Sequence, residues 1–243
     1  MVRRISLFLL LCLVGSTLYG QSLDEILKKN IEARGGLENL LKVKTMRAKG
    51  SIVVQNGMLQ GDIIAYQKRP NRVRLEMMLQ GQKMVQSYDG ETAWWIFPFM
   101  GDLNPQLMPD DQAKPFRDDS EFDGHLINYK EKGHKLELMG KEDMEGTEVF
   151  KLKCTLKNGS VRYYYLDGEY FLEVKTISKQ KIQGLEQEVH TFLSDYKEID
   201  GLMMPHSIES KAGGIVLVQV TLKKMETNVE IEDSFFKMPE KEK

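Results

Sequence analysis

The chain has 243 residues, 41% of them hydrophobic, with 34 Lys+Arg against 36 Asp+Glu for a formal net charge of -2. That is enough apolar material for one large or two small cores, and so even a balance of charge supplies no concentrated basic face for a nucleic-acid backbone. Two cysteines exclude a disulfide scaffold.

Residues 1–20 read as a signal peptide: Arg3 and Arg4, the apolar run from Ile5 to Val14, then Gly15, Ser16 and Thr17 before Leu18-Tyr19-Gly20. The run is roughly ten residues, about half of what spans a bilayer. Cleavage is expected after Gly20, leaving a soluble, exported chain. Cys12 lacks the small residue that precedes a lipid-accepting cysteine, so no lipidation is expected there. Cys154 alternates with Leu152 and Leu156 and reads as a small buried hydrophobe.

Ser22-Leu23-Asp24-Glu25 has the pattern of a capping box, and Leu23, Ile26, Leu27 and Ile31 follow at helical spacing. Gly35-Gly36 ends that helix, and Leu37, Leu40 and Leu41 suggest a second short one. From Thr45 the period changes to two. Met46, Ala48, Gly50, Ile52 and Val54 alternate with polar neighbours, as do Val73, Leu75, Met77 and Leu79. Turn pairs punctuate such runs, among them Asn56-Gly57, Gln80-Gly81, Asp89-Gly90, Asn158-Gly159, Asp167-Gly168, Asp200-Gly201 and Gly213-Gly214. This is the pattern of an antiparallel meander, and the alternation persists through Val161–Leu166, Phe171–Ile177, Val189–Tyr196 and Ile215–Met225. One domain over 21–243 is expected.

Between about 98 and 133 the meander stops. Pro98, Pro105, Pro109 and Pro115 interrupt strands, and the segment reads as short helices and loops. It carries Leu103, Leu107, Met108, Phe116, Phe122 and Leu126, too much apolar area to float free, so it should cover something.

Catalytic signatures do not emerge. His125, His134, His190 and His206 lie in no metal motif and beside no evident nucleophile. Glu188 and His190 share a strand face and could hold a metal only if a third ligand arrived from elsewhere. Asp118, Asp119 and Glu121 lack the spacing of a calcium loop, and no phosphate-cradling glycine motif occurs. No metal, cofactor or catalytic residue is expected; a hydrolase would need a nucleophile and base that the pattern does not offer. Methionine is abundant instead, 14 in all, and suits either an ordinary core or a wall that adapts to variable apolar shapes. The aromatic group Trp94, Trp95, Phe97 and Phe99 poses the same choice.

Three segments resemble a known family, the LolA/LolB-like superfamily of periplasmic lipoprotein-sorting carriers. Lys68-Arg69-Pro70-Asn71, followed by Arg72-Val73-Arg74, is similar to its strand-end pattern K-R-P-[NG]-x-[FV]-[RN]. Asp89-Gly90-Glu91-Thr92-Ala93-Trp94-Trp95-Ile96-Phe97-Pro98-Phe99 resembles D-G-K-T-L-W-x-Y-x-P-x without a gap, with Ala93 in place of the usual leucine. The tail Phe235-Phe236-Lys237-Met238-Pro239 resembles the closing F-x-F-x-P.

The resemblance implies a mainly β fold with α, an unclosed antiparallel β-barrel with an N-terminal helix and a helical lid at about 98–133. It implies a monomeric periplasmic carrier that takes acyl chains of a lipoprotein, or a related lipid, from an inner-membrane ABC transporter towards an outer-membrane receptor. Val73, Leu75, Met77, Trp94, Phe97 and Phe99 are then expected on the cavity wall, and Leu107, Met108, Phe116 and Leu126 on the lid. Arg69 occupies the position that, in the family, holds the lid closed by hydrogen bonds. An envelope-stress sensor or regulatory interaction module on the same scaffold is the alternative reading.

Overall fold

The computed structural model describes residues 21–101, 103–182 and 184–240; the expected signal peptide lies outside the described residues. Two helices lead, α1 (Leu23–Ala33) and α2 (Leu37–Lys42). Ser22 and Glu25 make the capping box: the Ser22 hydroxyl accepts the Glu25 amide proton at 3.3 Å and the Glu25 carboxylate accepts that of Ser22 at 2.8 Å. The elbow between the helices is set by Gly35, whose φ of 109° suits glycine and whose Cβ, were one present, would stand 2.0 Å from the Gly201 carbonyl oxygen.

Five hairpin-linked strands follow: β1 (Thr45–Val54), β2 (Leu59–Lys68), β3 (Arg72–Leu79), β4 (Gln82–Tyr88) and β5 (Ala93–Ile96). The segment expected as a lid holds a 3₁₀ turn at Pro98–Met100, the two-residue strand β6 (Gln106–Leu107) and helix α3 (Asp110–Asp118), then turns to residue 134. The meander resumes with β7 (Lys135–Met144), β8 (Thr147–Thr155), β9 (Val161–Asp167), β10 (Glu173–Ile182), β11 (Leu185–Ile199), β12 (Leu202–Ala212) and β13 (Ile215–Thr227). β13 pairs back onto β1, so the sheet runs β6-β5-β4-β3-β2-β1-β13-β12-β11-β10-β9-β8-β7, antiparallel throughout. The ends β6 and β7 do not pair. The expected unclosed antiparallel barrel is what forms.

Alternation gives the sheet an apolar inner face, and helices cover it in two places. α1 sets Ile26 and Leu27 against Phe150, Leu152, Cys154 and Leu166 on β8 and β9. α3 lies against both β5 and β10, bridging the mouth between the sheet's halves, with Ala113 and Phe116 on Val73, Tyr88 and Ala93. Strand β1 bends at a bulge between Lys49 and Gly50, where a Cβ on Gly50 would stand 2.1 Å from the Thr221 carbonyl oxygen.

On the outer face the C-terminal segment straps β1 to β5. Thr45 donates to the Val229 carbonyl at 2.5 Å, Lys68 to that of Ile231 at 2.7 Å and Arg74 to that of Phe235 at 2.9 Å. The Phe236 carbonyl accepts from both the Ser87 hydroxyl and the Trp94 indole, each at 2.8 Å, and the Phe236 ring is fully buried. Truncating Phe236 to Ala should therefore cost about 3–5 kcal/mol. Denaturant unfolding would measure that loss, and a red-shifted Trp emission would report that the strap has lifted.

Candidate functional site

Between the part covered by α1 and the part covered by α3 the inner face stays uncovered by close packing. A hollow of about 440 Å³ lies there, within the range of ligand pockets. Its walls come from β1–β3 and β11–β13, with Ala48, Ile63, Ala65, Leu75, Val220 and Leu222 contributing apolar surface. Leu40 of α2 and Val43 just after it, with Phe122 from the turn after α3, form a roof. Arg34, Asp123, Glu173 and Tyr196 add the polar groups.

The roof is wired through one guanidinium. Arg69 Nε donates to the Val43 carbonyl at 2.6 Å, one Nη to the Leu40 carbonyl at 2.7 Å, and the other Nη to the Asp123 carboxylate. Its face lies 4.6 Å from the centre of the Phe122 ring. The Leu40 carbonyl takes one weak bond from the Val43 amide at 3.4 Å, and the fork of guanidinium N–H donors adds to it while the cation meets the negative pole of the helix. A single side chain thus joins α2 to the turn after α3. Arg69→Leu should leave the sheet folded but free the roof, raising the exit rate of any bound amphiphile severalfold in stopped-flow measurements.

The residues expected on the wall divide. Leu75 lines the hollow. Met77 and Phe97 belong to the cluster beside it, with Ile52, Ile63 and Met84. Val73 shares the inner face but sits under α3, and Phe99 is 39% exposed, edge-on to Phe97 at 5.8 Å. Trp94 is placed on the outer face under Phe236, while Trp95 turns inward beside Leu75 and Phe116. Among the expected lid residues, Met108 and Phe116 pack on Val73, Leu126 packs at the far end with α1, and Leu107 is 64% exposed on β6. Arg34, Glu173 and Tyr196, which sequence reasoning did not single out, stand at the hollow. Their only signal was position: Arg34 immediately precedes the Gly35-Gly36 elbow.

Charge at the hollow is paired. Arg34 Nη1 lies 3.9 Å from Glu173 Oε1, and burial pushes the Glu173 carboxyl up from its ordinary range against the pull of Arg34. The Tyr196 hydroxyl donates to the Glu173 backbone carbonyl at 2.6 Å. Cys154, fully buried, has its thiol pushed up to about 12 by burial, which leaves it no thiolate at neutral pH. Glu188 and His190 stand 3.7 Å apart on β11, and among the described residues no group of three His, Cys, Asp or Glu side chains could hold a metal ion.

The turn after α3 is fixed to β9 by buried polar groups. The His125 Nε2–H donates to the Asp118 carbonyl at 2.7 Å, which makes Nδ1 the acceptor for the Tyr164 hydroxyl. His134 accepts the Lys157 amide proton at 3.1 Å, and Arg162 pairs with Asp119. Burial and then the Arg162 charge hold the His125 imidazole below its ordinary value, with Glu121 and Asp119 opposing. Below about pH 6.5 the unfolded chain then binds a proton that the folded chain refuses, so stability falls as pH drops through that window. His125→Gln can keep both hydrogen bonds without titrating; its Tm should fall less than wild type between pH 7 and 5.

An open antiparallel half-barrel with an inner face half plugged by helices and half left hollow is a LolA-like fold. Solved structures resemble it over nearly their whole length. A LolA superfamily protein from Nitrosomonas europaea is 14% identical, with a TM-score of 0.61, covering 90% of this chain and 98% of that one. A DUF1329 family protein from Desulfovibrio piger is 12% identical with a TM-score of 0.60 over the same shares. A putative outer membrane lipoprotein-sorting protein domain from Vibrio parahaemolyticus is 12% identical with a TM-score of 0.57, covering 87% and 94%. No family model matches the sequence, and no curated protein matches it significantly. The likeness is one of fold, as the motif resemblance implied.

Proposed function

We propose that the protein is an exported periplasmic carrier that shelters acyl chains of a lipoprotein, or of a related lipid, in its hollow and passes them towards the outer membrane. The observation that carries this reading is the hollow itself: about 440 Å³ of space walled largely by aliphatic side chains on the inner face of the sheet. A sixteen-carbon chain moved from membrane to water loses on the order of 12 kcal/mol, at about 0.8 kcal/mol per methylene. An apolar cavity offsets most of that without covalent chemistry, so neither a nucleotide site nor a nucleophile is needed. The lipoprotein-sorting description of the Vibrio parahaemolyticus domain, which shares the fold, agrees with this reading. Loading from an inner-membrane ABC transporter and unloading to an outer-membrane receptor complete the proposal, with the Arg69-held roof as the element that moves.

Ala65 lines the hollow, and Ala65→Phe would fill part of it. Calorimetric titration of the purified, delipidated protein with an acylated peptide should show binding that this variant weakens about tenfold or more, as expected when several methylenes lose their place. Absence of binding by the unaltered protein, together with no lipid or lipoprotein recovered with it from its native envelope, would overturn the carrier reading.

A further inference from the structure

The hollow has a polar end, and its charges are arranged in pairs. Arg34 is held there by the α1–α2 elbow, whose backbone docks on the turn between β11 and β12: the Arg34 carbonyl accepts the Met203 amide proton at 3.2 Å. Glu173 opens β10 across from it, and both side chains are about one-fifth exposed. The separation of 3.9 Å makes an ion pair but exceeds hydrogen-bond reach. Among the described residues neither head group makes a hydrogen bond. A guanidinium with unused N–H donors and a carboxylate with unused lone pairs therefore stand side by side at the edge of an apolar cavity.

Both side chains keep some exposure, so their spare donors and acceptors meet solvent at the edge of the hollow. A ligand that covers them must supply replacements, because a donor or acceptor desolvated without a partner loses about 1–3 kcal/mol. It must therefore offer an acceptor to Arg34 and a donor to Glu173. Its net charge is constrained as well. Arg34, Glu173 and Asp123 line the hollow, and Asp123 is paired with Arg69 behind it, so two cations balance two anions. An anionic head would meet Glu173 and Asp123, a cationic one Arg34, and either would leave a charge unbalanced in a partly desolvated site.

We propose that Arg34 and Glu173 form a head-group subsite selecting an uncharged carbonyl with an N–H or O–H on the same side, such as a primary amide, over the free carboxylate of the same chain. The assignment rests on the carrier reading. The carbonyl accepts from Arg34, the N–H or O–H donates to Glu173, and the hydrocarbon runs along Ala48, Ile63, Leu75 and Val220.

Three probes of one chain length separate the possibilities: dodecanamide, methyl dodecanoate and dodecanoate, titrated calorimetrically into the delipidated full chain. The amide should bind about tenfold tighter than the carboxylate, with the ester, which lacks the donor, between them. Glu173→Gln should raise dodecanoate affinity and shrink the gap, and Arg34→Met should weaken amide and ester together. Equal affinity for the three heads, or dodecanoate bound tightest, overturns the subsite while leaving the carrier standing. Failure of all three to bind overturns the subsite; the carrier falls as well only if acylated peptide also fails to bind and no lipid is recovered with the protein. The ranking in the unaltered protein decides the matter even if a variant does not fold.

Discussion

A sheet that curls without closing has an apolar inner face that it cannot bury against itself. Strands β6 and β7 are the two ends of a thirteen-strand meander, and they do not meet. Everything else on the inner side answers to that gap. α1 buries Ile26 and Leu27 against one flank, α3 bridges the mouth from β5 to β10, and α2 with the turn around Phe122 spans the space between. The helices are too few and too short to fill the concavity. What they leave is the hollow, so the candidate site is a consequence of incomplete closure rather than an added feature.

Leaving such a space has a cost. The hollow is open to solvent, so its cost is that of apolar wall left unburied by protein. A chain that enters relieves both the cavity and its own exposure to water. The sheet tolerates the defect because stability is drawn from elsewhere: the closely packed α1 flank and the C-terminal strap over Trp94 on the outer face. The roof combines a small apolar cluster of Leu40, Val43, Ile127 and Leu202 with the hydrogen bonds of Arg69 to Leu40, Val43 and Asp123.

The turn after α3 is pinned at two places by different chemistry. At Asp123 a charged guanidinium holds it to α2, whereas from Asp118 to His134 it is held to β8 and β9 by buried neutral and ionic groups, with His125 and Tyr164 at the centre. Arg69 can therefore release the roof without detaching the turn from the sheet. The buried imidazole makes the second attachment sensitive to acid.

Much of this was legible in the linear chain. The capping box at Ser22 and Glu25, the glycine stop at Gly35, the alternation from Thr45 and the paired turn residues all act locally, so they determined α1, most strands and the antiparallel order by themselves. The proline-broken stretch near 98–133 marked the segment that leaves the meander, though its weak edge strand β6, only Gln106 and Leu107, carries too little pattern to show. Which face turned inward was decided only in three dimensions. Trp94 and Trp95 are both apolar, so a period of two assigns them to opposite faces without saying which; the strap that covers Trp94 comes from residues 142 positions away. Arg34 and Glu173 lie far apart in the chain and meet only because the elbow at Gly35 docks on Gly201. Local propensities determine elements, whereas a hollow is the space those elements fail to fill, and that is settled by how the whole sheet curls.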